Sequence, residues 1–600
     1  MSNVMSLKDI RNRVHRNAFD KSSKCVFSAK VGELLPVWTE EVLPGDKFKI
    51  NINSFSRTMP LNSAAYTRIR EYFDFYFVPL RLLWRFSDNF FTQMKVNNSA
   101  TSANMRSSSL VLYDTHPYFT ARSIIDNYLN AVYHQSWNSG DDPIDDLGLE
   151  PDSYFLNELG YFRYGLSKKL LEYLGYSSNL YADSDQSDEN EVDRMYGFDQ
   201  DGDNDTVLNP FPLLAYQKIY SDFYRFSQWQ DVEPWTFNID YCNDNGEELS
   251  GYAMSPYISY SGSGTYSYHS TMFDLRYCNW DKGMFTGIMS AAQYGDTAYA
   301  SPLVGSQALY DATSEVGYHF STDNDFSYDG SGFGLSVLAL RQAEFLQRWK
   351  EVSMSGNQDY KDQVEKHWGV KVPNVRSNMC QYLGGTSSSI DISEVVNNNL
   401  SDTTDYARIR GKGVGSVRDF IDFEAKEHGI IMCIYHAAPL VEFTSTGINP
   451  LNLKCEFTDY AIPELDSVGM QAVPLSQIFG AGVYNSDGDA MLIENTTEIG
   501  YAPRYYDYKT SVDRIRGVFN TELSYWVTPF NANFLYNCVQ RAYQSEGTAI
   551  AYNFFKVNPA VMDSVFSTFV DSSVNTDHIL VNSYFDVKVV RNLDYNGLPY

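Results

Sequence analysis

Apolar and polar positions alternate through residues 70–84, where Phe73, Phe75 and Phe77 share one face of a period-two strand and Tyr72, Asp74 and Tyr76 the other. The second face is itself mostly aromatic, so the pattern predicts a strand packed on both sides, as in a shell or large assembly. Pro79 has no N–H to donate and marks the end of the ladder. Further strands are expected over residues 33–42, 47–57, 72–78, 430–435, 514–519 and 581–590, with Leu43-Pro-Gly-Asp46 as a turn. Strands near both ends with long material between them predict a sandwich whose loops carry large insertions.

Two helices stand out. Residues 212–230 place Ala215, Ile219, Phe223 and Phe226 on one stripe and Tyr216, Tyr220 and Tyr224 on the neighbouring face. Residues 335–352 align Leu338, Phe345, Trp349 and Val352. Both read as packing helices. Tyr72, Tyr76, Trp84, Tyr216, Tyr220 and Tyr224 are the candidates for contacts with neighbouring subunits, because each lies on a second aromatic face.

Composition changes the picture mainly through charge. The 600 residues carry a formal net charge of −29, which excludes a chain that coats nucleic acid over its whole surface. Aromatic content of 15% supplies ample core, so disorder is not expected. Length alone suggests about four domains, a weak guide for all-β chains with long insertions. Residues 1–30 depart from the acidic rule: Lys8, Arg11, Arg13, Arg16, Lys21, Lys24 and Lys30 stand against Asp9 and Asp20. They read either as a basic arm that meets a polyanion at one surface, with Lys8, Arg11, Arg13 and Arg16 as its candidate contacts, or as a solvated, frayed terminus. Residues 138–156 and 183–205 are acidic, and residues 258–270 and 311–334 are rich in Ser, Gly, Tyr and Asp, as in surface loops. No repeat of fixed period is found.

Chemistry finds little purchase. The seven cysteines form no C-x-x-C pair, which suits a reducing compartment. The start has no apolar signal segment, and the most apolar run, residues 429–443, is too short to span a bilayer, so a soluble chain is expected. Asp199, Asp201, Asp203 and Asp205 resemble part of a calcium loop, but an EF-hand needs Gly and Glu where Asn204 and Pro210 stand. They remain a weak structural-calcium candidate beside a solvated acidic loop; otherwise no metal or cofactor is expected. His428 and His436 lack the H-E-x-x-H spacing, Gly411–Ser416 lacks the phosphate-loop arrangement, and Gly384–Ser389 lacks a nucleophile-elbow context. Glu40 and Glu41 are adjacent and point to opposite faces of a strand. With no catalytic set left, the chain is expected not to be an enzyme.

The aromatic blocks then become informative through their order. Phe19-Asp20, Leu34-Leu-Pro-Val37, Glu41-Val-Leu-Pro-Gly-Asp-Lys-Phe48 and Phe75-Tyr-Phe-Val-Pro-Leu-Arg-Leu-Leu-Trp84 come first. Ser123-Ile-Ile-Asp-Asn-Tyr-Leu129, the block 212–225, Asp281-Lys-Gly-Met-Phe-Thr286, Leu338-Ala-Leu-Arg-Gln-Ala343 and His367-Trp-Gly-Val370 follow. Gln381-Tyr-Leu-Gly-Gly385, Glu427-His-Gly429, Gly500-Tyr-Ala-Pro-Arg-Tyr-Tyr-Asp-Tyr508 and Asn596-Gly-Leu-Pro-Tyr600 complete the series. It resembles the major capsid protein of microviruses, the small icosahedral single-stranded DNA phages, and their gokushovirus-like branch above all.

The resemblance implies a mainly β fold, a single eight-stranded antiparallel jelly roll of viral capsid type over residues 31–600, with long loop insertions carrying some helices. It further implies a T=1 icosahedral shell of identical copies around a circular single-stranded DNA genome. A small basic DNA-binding virion protein, a minor capsid or pilot protein and a host surface receptor are implied as partners. The chain would belong to the virion, be assembled in the bacterial host cytoplasm and insert in no membrane. Two departures are visible. The interval 130–207 is much longer than the family's connection, and the usual spike region near residues 301–334 is short. An acidic surface insertion at 130–207 and surface loops at 240–335 are therefore expected to share the outer protrusion. The rival from another class is a phage-associated polysaccharide-binding or depolymerising protein, whose convergent carboxylate pair or β-helical repeat is not found. An inert surface-layer protein would need a secretion signal.

Overall fold

The computed structural model describes residues 16–93, 114–120, 169–176, 207–241, 270–293, 337–356, 360–371, 377–396, 409–478, 498–528, 552–566 and 576–595, with a few isolated residues and strand pairs between them. Its centre is one curled antiparallel sheet. The strands are β1 (Asn17–Asp20), β2 (Ser23–Ala29), β3 (Leu35–Val42), β4 (Lys47–Thr58), β5 (Ile69–Pro79), β6 (Gln381–Val396), β7 (Ile409–Glu424), β8 (Gly429–Pro439) and β9 (Ile579–Arg591). They run in the order β1-β9-β4-β7-β6-β5-β8-β3, and β2 pairs with β9 beyond β1. Nine strands thus fill eight positions, because β1 and β2 are successive parts of one edge. The architecture is mainly β and compatible with the jelly roll.

Strand β6 makes the sheet curl. Its first part pairs with β5 from Gln381 to Ile390, and its second part pairs with β7 from Asp391 to Val396. The two halves of the sheet then face each other across a ring-filled core. Trp38 of β3 stacks on Phe585 of β9 at 5.9 Å, Phe75 meets Phe585 edge-on, and Phe77 of β5 packs on Phe423 of β7 at 5.0 Å. Along β4 every second residue is buried, with Phe48, Ile50 and Ile52 inward and Lys47, Lys49, Asn53, Phe55 and Arg57 outward. In register across three strands, Ile421, Ile50 and Val587 form one buried row. Strand β8 is buried at every position, as expected of a strand covered on both faces.

Helix α1 (Phe211–Ile219) provides the second cover and continues as a π-helical turn, Tyr220–Tyr224, which ends where Arg225 turns extended. The helix is therefore shorter than the expected 212–230. Residues 271–288, expected among surface loops, pack into the core through Met272, Phe273, Trp280, Phe285 and Ile288. Leu170 and Leu171, within the expected acidic surface insertion, are also buried. Next to them Lys169 Nζ bonds Glu33 at 2.6 Å and Asp577 at 2.9 Å. Burial works against that ammonium, and the two carboxylates outweigh it, holding its pKa above the ordinary value. Residues 514–519 are not a strand: Arg514 makes an isolated bridge to Phe443, and Gly517, with φ +69°, opens a 3-10 turn over Gly517–Asn520.

Two features inside the curl answer to mutation. A Cβ on Gly413 would stand 2.6 Å from Thr58 Cγ2 and 2.7 Å from Ile390 Cγ2, where the Gly413 N–H donates to Thr58 Oγ1. Gly413→Ala is expected to destabilise the fold by about 1–3 kcal/mol, read as a lower denaturation midpoint. Glu71 of β5 is fully buried, accepting from Ser56 Oγ of β4 and, at 3.4 Å, from Tyr435 of β8. Burial raises its pKa. A carboxyl that holds its proton more tightly folded than unfolded contributes stability below its unfolded pKa, and loses that contribution as pH rises through the folded value. Glu71→Gln is expected to add about 1–2 kcal/mol near neutral pH and little in acid. Unfolding curves of the two proteins that stay parallel across this range would contradict the assignment.

Candidate functional site

The second aromatic face of β5 lies beneath α1. Tyr76 is buried and its hydroxyl donates to Tyr224 at 2.9 Å; Tyr224 in turn donates to Asp74 at 3.2 Å, as does Tyr382 at 3.1 Å. Tyr216 donates to the Leu34 carbonyl at 2.9 Å and accepts from the Arg276 N–H at 2.8 Å. Tyr220 donates to Gln230, with the Arg276 guanidinium and the Lys556 ammonium over its ring at 4.7 and 4.6 Å. Burial opposes ionisation of that phenol, and the two cations outweigh it, drawing its pKa below the usual value. Trp84 packs among Phe86, Phe90 and Phe211.

Tyr76, Trp84, Tyr216, Tyr220 and Tyr224 are buried within the chain itself, because it folds its own helix over the strand. Tyr72 is half-buried and stacks on His436 at 4.7 Å. The sequence pattern reported that the face is covered and carried no signal for which element covers it.

The remaining chemical candidates resolve into packing. Burial pushes His436 down to about 3, so its ring is neutral beside Asp74. His428 stacks flat on Phe91 at 3.9 Å. Gly411–Ser416 and Gly384–Ser389 lie within β7 and β6, where the glycines admit side chains of facing strands. Glu40 pairs with Lys21 and, at 3.2 Å, with Arg591, tying β3 to the edge of the sheet. Among the described residues no three His, Cys, Asp or Glu side chains converge as metal ligands. Asp199, Asp201, Asp203 and Asp205 lie outside the described residues.

The basic stretch divides. Residues 17–29 are strands β1 and β2 rather than an arm. Arg16 is exposed and its Nε donates to Asn592 at 2.9 Å, while Lys8, Arg11 and Arg13 lie outside the described residues. Apolar exposure is concentrated elsewhere. Helices α2 (Val337–Met354) and α3 (Tyr360–Trp368) form a hairpin in which Trp349 stacks on His367 at 5.3 Å. Phe345, Trp349 and Trp368 on it are 65%, 50% and 69% exposed. On the stripe of the packing helix expected over 335–352, Phe345 and Trp349 face outward in the single chain. The amphipathic period located the helix but could not say on which molecule its apolar stripe finds cover.

Comparison with known proteins places this architecture. The chain is 23% identical over 549 residues to capsid protein VP1 of Chlamydia phage 1, covering 85% of each chain. It is 22% identical over 527 residues to capsid protein VP1 of Bdellovibrio phage phiMH2K, covering 85% of this chain and 83% of that one. The capsid protein (F protein) family of phages matches residues 9–129 and 202–599. The unmatched interval falls inside the long acidic segment at 130–207. No helix among the described residues is long and apolar enough to cross a membrane. The ordered aromatic blocks, the curled sheet and a family match over most of the chain agree: this chain belongs to the phage capsid protein (F protein) family and is a structural major capsid protein of the microvirus kind.

Proposed function

We propose that copies of this chain close into a T=1 icosahedral shell around a circular single-stranded DNA genome, with no catalytic step and no cofactor. The observation that carries the reading is the α2–α3 hairpin of a capsid-family protein, whose rings at Phe345, Trp349 and Trp368 are half or more exposed in the single chain. Apolar surface of that kind is stable when a neighbouring copy buries it, and permanent interfaces are apolar at their centre. The net charge of −29 keeps assembled particles apart by repulsion. Lys8, Arg11, Arg13 and Arg16 neutralise genome phosphates without reading bases, alongside a small basic virion protein. The parts of 130–207 and 240–335 outside the packed stretches at Leu170–Leu171 and 271–288 contribute protrusions that meet the host receptor, and assembly with the minor capsid protein takes place in the bacterial cytoplasm.

Purified wild-type chain is expected to sediment as closed shells with icosahedral symmetry by electron microscopy. The double variant Phe345→Asp/Trp349→Asp should keep its far-ultraviolet spectrum and sediment as small species. Normal shells from that variant would remove the hairpin from the subunit contacts. Deleting residues 1–15 should leave shells intact, reduce packaged DNA and weaken the salt dependence of its retention. Undiminished packaging would exclude the arm.

A further inference from the structure

The outward face of the β2-β9-β4-β7 half-sheet carries a pattern that burial does not explain. Two successive cross-strand rows read Ser416-Phe55-Asn582-Val26 and Arg418-Asn53-Tyr584-Lys24. All eight side chains are exposed, and all but Val26 floor and rim a shallow trough. Phe55 is 38% exposed and Tyr584 47%. They stand diagonally on neighbouring strands, roughly 7 Å apart. Phe420, 52% exposed, follows Arg418 on the same face of β7. Arg57, two residues beyond Phe55, lays its guanidinium over the Phe55 ring at 5.1 Å.

Charge on this face runs against the rest of the chain. Neither row contains a carboxylate, and Lys24, Arg57 and Arg418 have no ion-pair partner among the described residues. Acidic groups begin at the margins, with Asp391 beside Val414 and with Asp422 and Asp586 beyond the Arg418 row. The edge strands β1 and β2 carry the chain into this half-sheet from residue 16, so the basic residues Lys8, Arg11 and Arg13 precede it directly. Cations without carboxylate partners, exposed rings at base-to-base reach and side-chain amides between them are what a polyanion with accessible bases requires. A duplex hides its bases and could not offer them to the rings.

Resting on the capsid reading, we infer that this face is a stacking platform for single-stranded DNA. Phe55 and Tyr584 take base faces, Arg418, Lys24 and Arg57 take phosphates, and Asn53 and Asn582 meet base edges. The site has no preference for sequence, because every base has a ring face to stack.

The test uses the full-length chain and a fluorescent oligothymidylate of about 20 nucleotides, with anisotropy followed against salt. Phe55→Ser and Tyr584→Ser should each weaken binding by about five- to 150-fold. Phe55→Tyr and Tyr584→Phe should restore it, which separates loss of stacking from loss of fold. The double variant Lys24→Gln/Arg418→Gln should lower the slope of log affinity against log salt by about 1.4. Deleting residues 1–15 should leave the effect of the ring variants in place. Folded ring and charge variants that bind as the wild type does would overturn the proposal. So would binding that vanishes with residues 1–15 and ignores the sheet. If the ring variants bind normally but no longer form shells, the face joins copies of the chain; the platform then falls and the shell reading stands. Oligonucleotide binding that behaves as stated in a chain that never forms shells would leave the platform standing and remove the shell.

Discussion

The half of the sheet built from β5, β8 and β3 depends on being covered on both faces from within the chain. One face closes on β9 and β7 through Trp38, Phe75, Phe77 and their partners, and the other closes under α1 and residues 271–288. Strand β8 could not be apolar at every position otherwise, since a single exposed face would present a long greasy stripe to water. The hydroxyls under α1 follow from the same constraint. Tyrosines in a dry layer need partners, and Tyr76, Tyr224, Tyr382 and Asp74 satisfy one another.

Much of this was legible because burial writes itself into strands as alternation. Residues 47–57 and 581–590 showed it plainly, and both are strands within the predicted limits to a residue or two. Strands β6 and β7 were illegible for a physical reason. Their Gly384-Gly385 and Gly413 to Gly415 stretches resemble loops, yet Gly385, Gly413 and Gly415 stand where neighbouring groups come too close for a Cβ, and Gly384 takes φ +139° at a shift of register. The strand expected at 514–519 had alternation without neighbours, and a lone bridge cannot make a ladder.

The aromatic faces are more instructive. Tyr216, Tyr220 and Tyr224 announced a face in need of cover, and the chain covers it internally. Phe345 and Trp349 announced nothing unusual, being an ordinary amphipathic stripe, and they are among the rings left facing outward. Periodicity reports that a face is apolar; only the packed fold reports which faces are already taken. The outward Phe55 and Tyr584 escaped notice for a related reason, since single rings on a polar strand face look like ordinary surface until the register aligns them.

Strand β9 joins β4 from Ile579 opposite Thr58 to Val590 opposite Lys47, and β1 and β2 then dress its far edge. Ribosomal synthesis delivers β4 long before β9, so this half-sheet waits with an unsatisfied margin until β9 emerges. Fragments lacking β9 end with β4 unpaired on one side and β1 and β2 without a place to bind. Synthesis of β9 is thereby coupled to maturity of the sheet, which keeps chains without it from presenting a finished surface to their siblings.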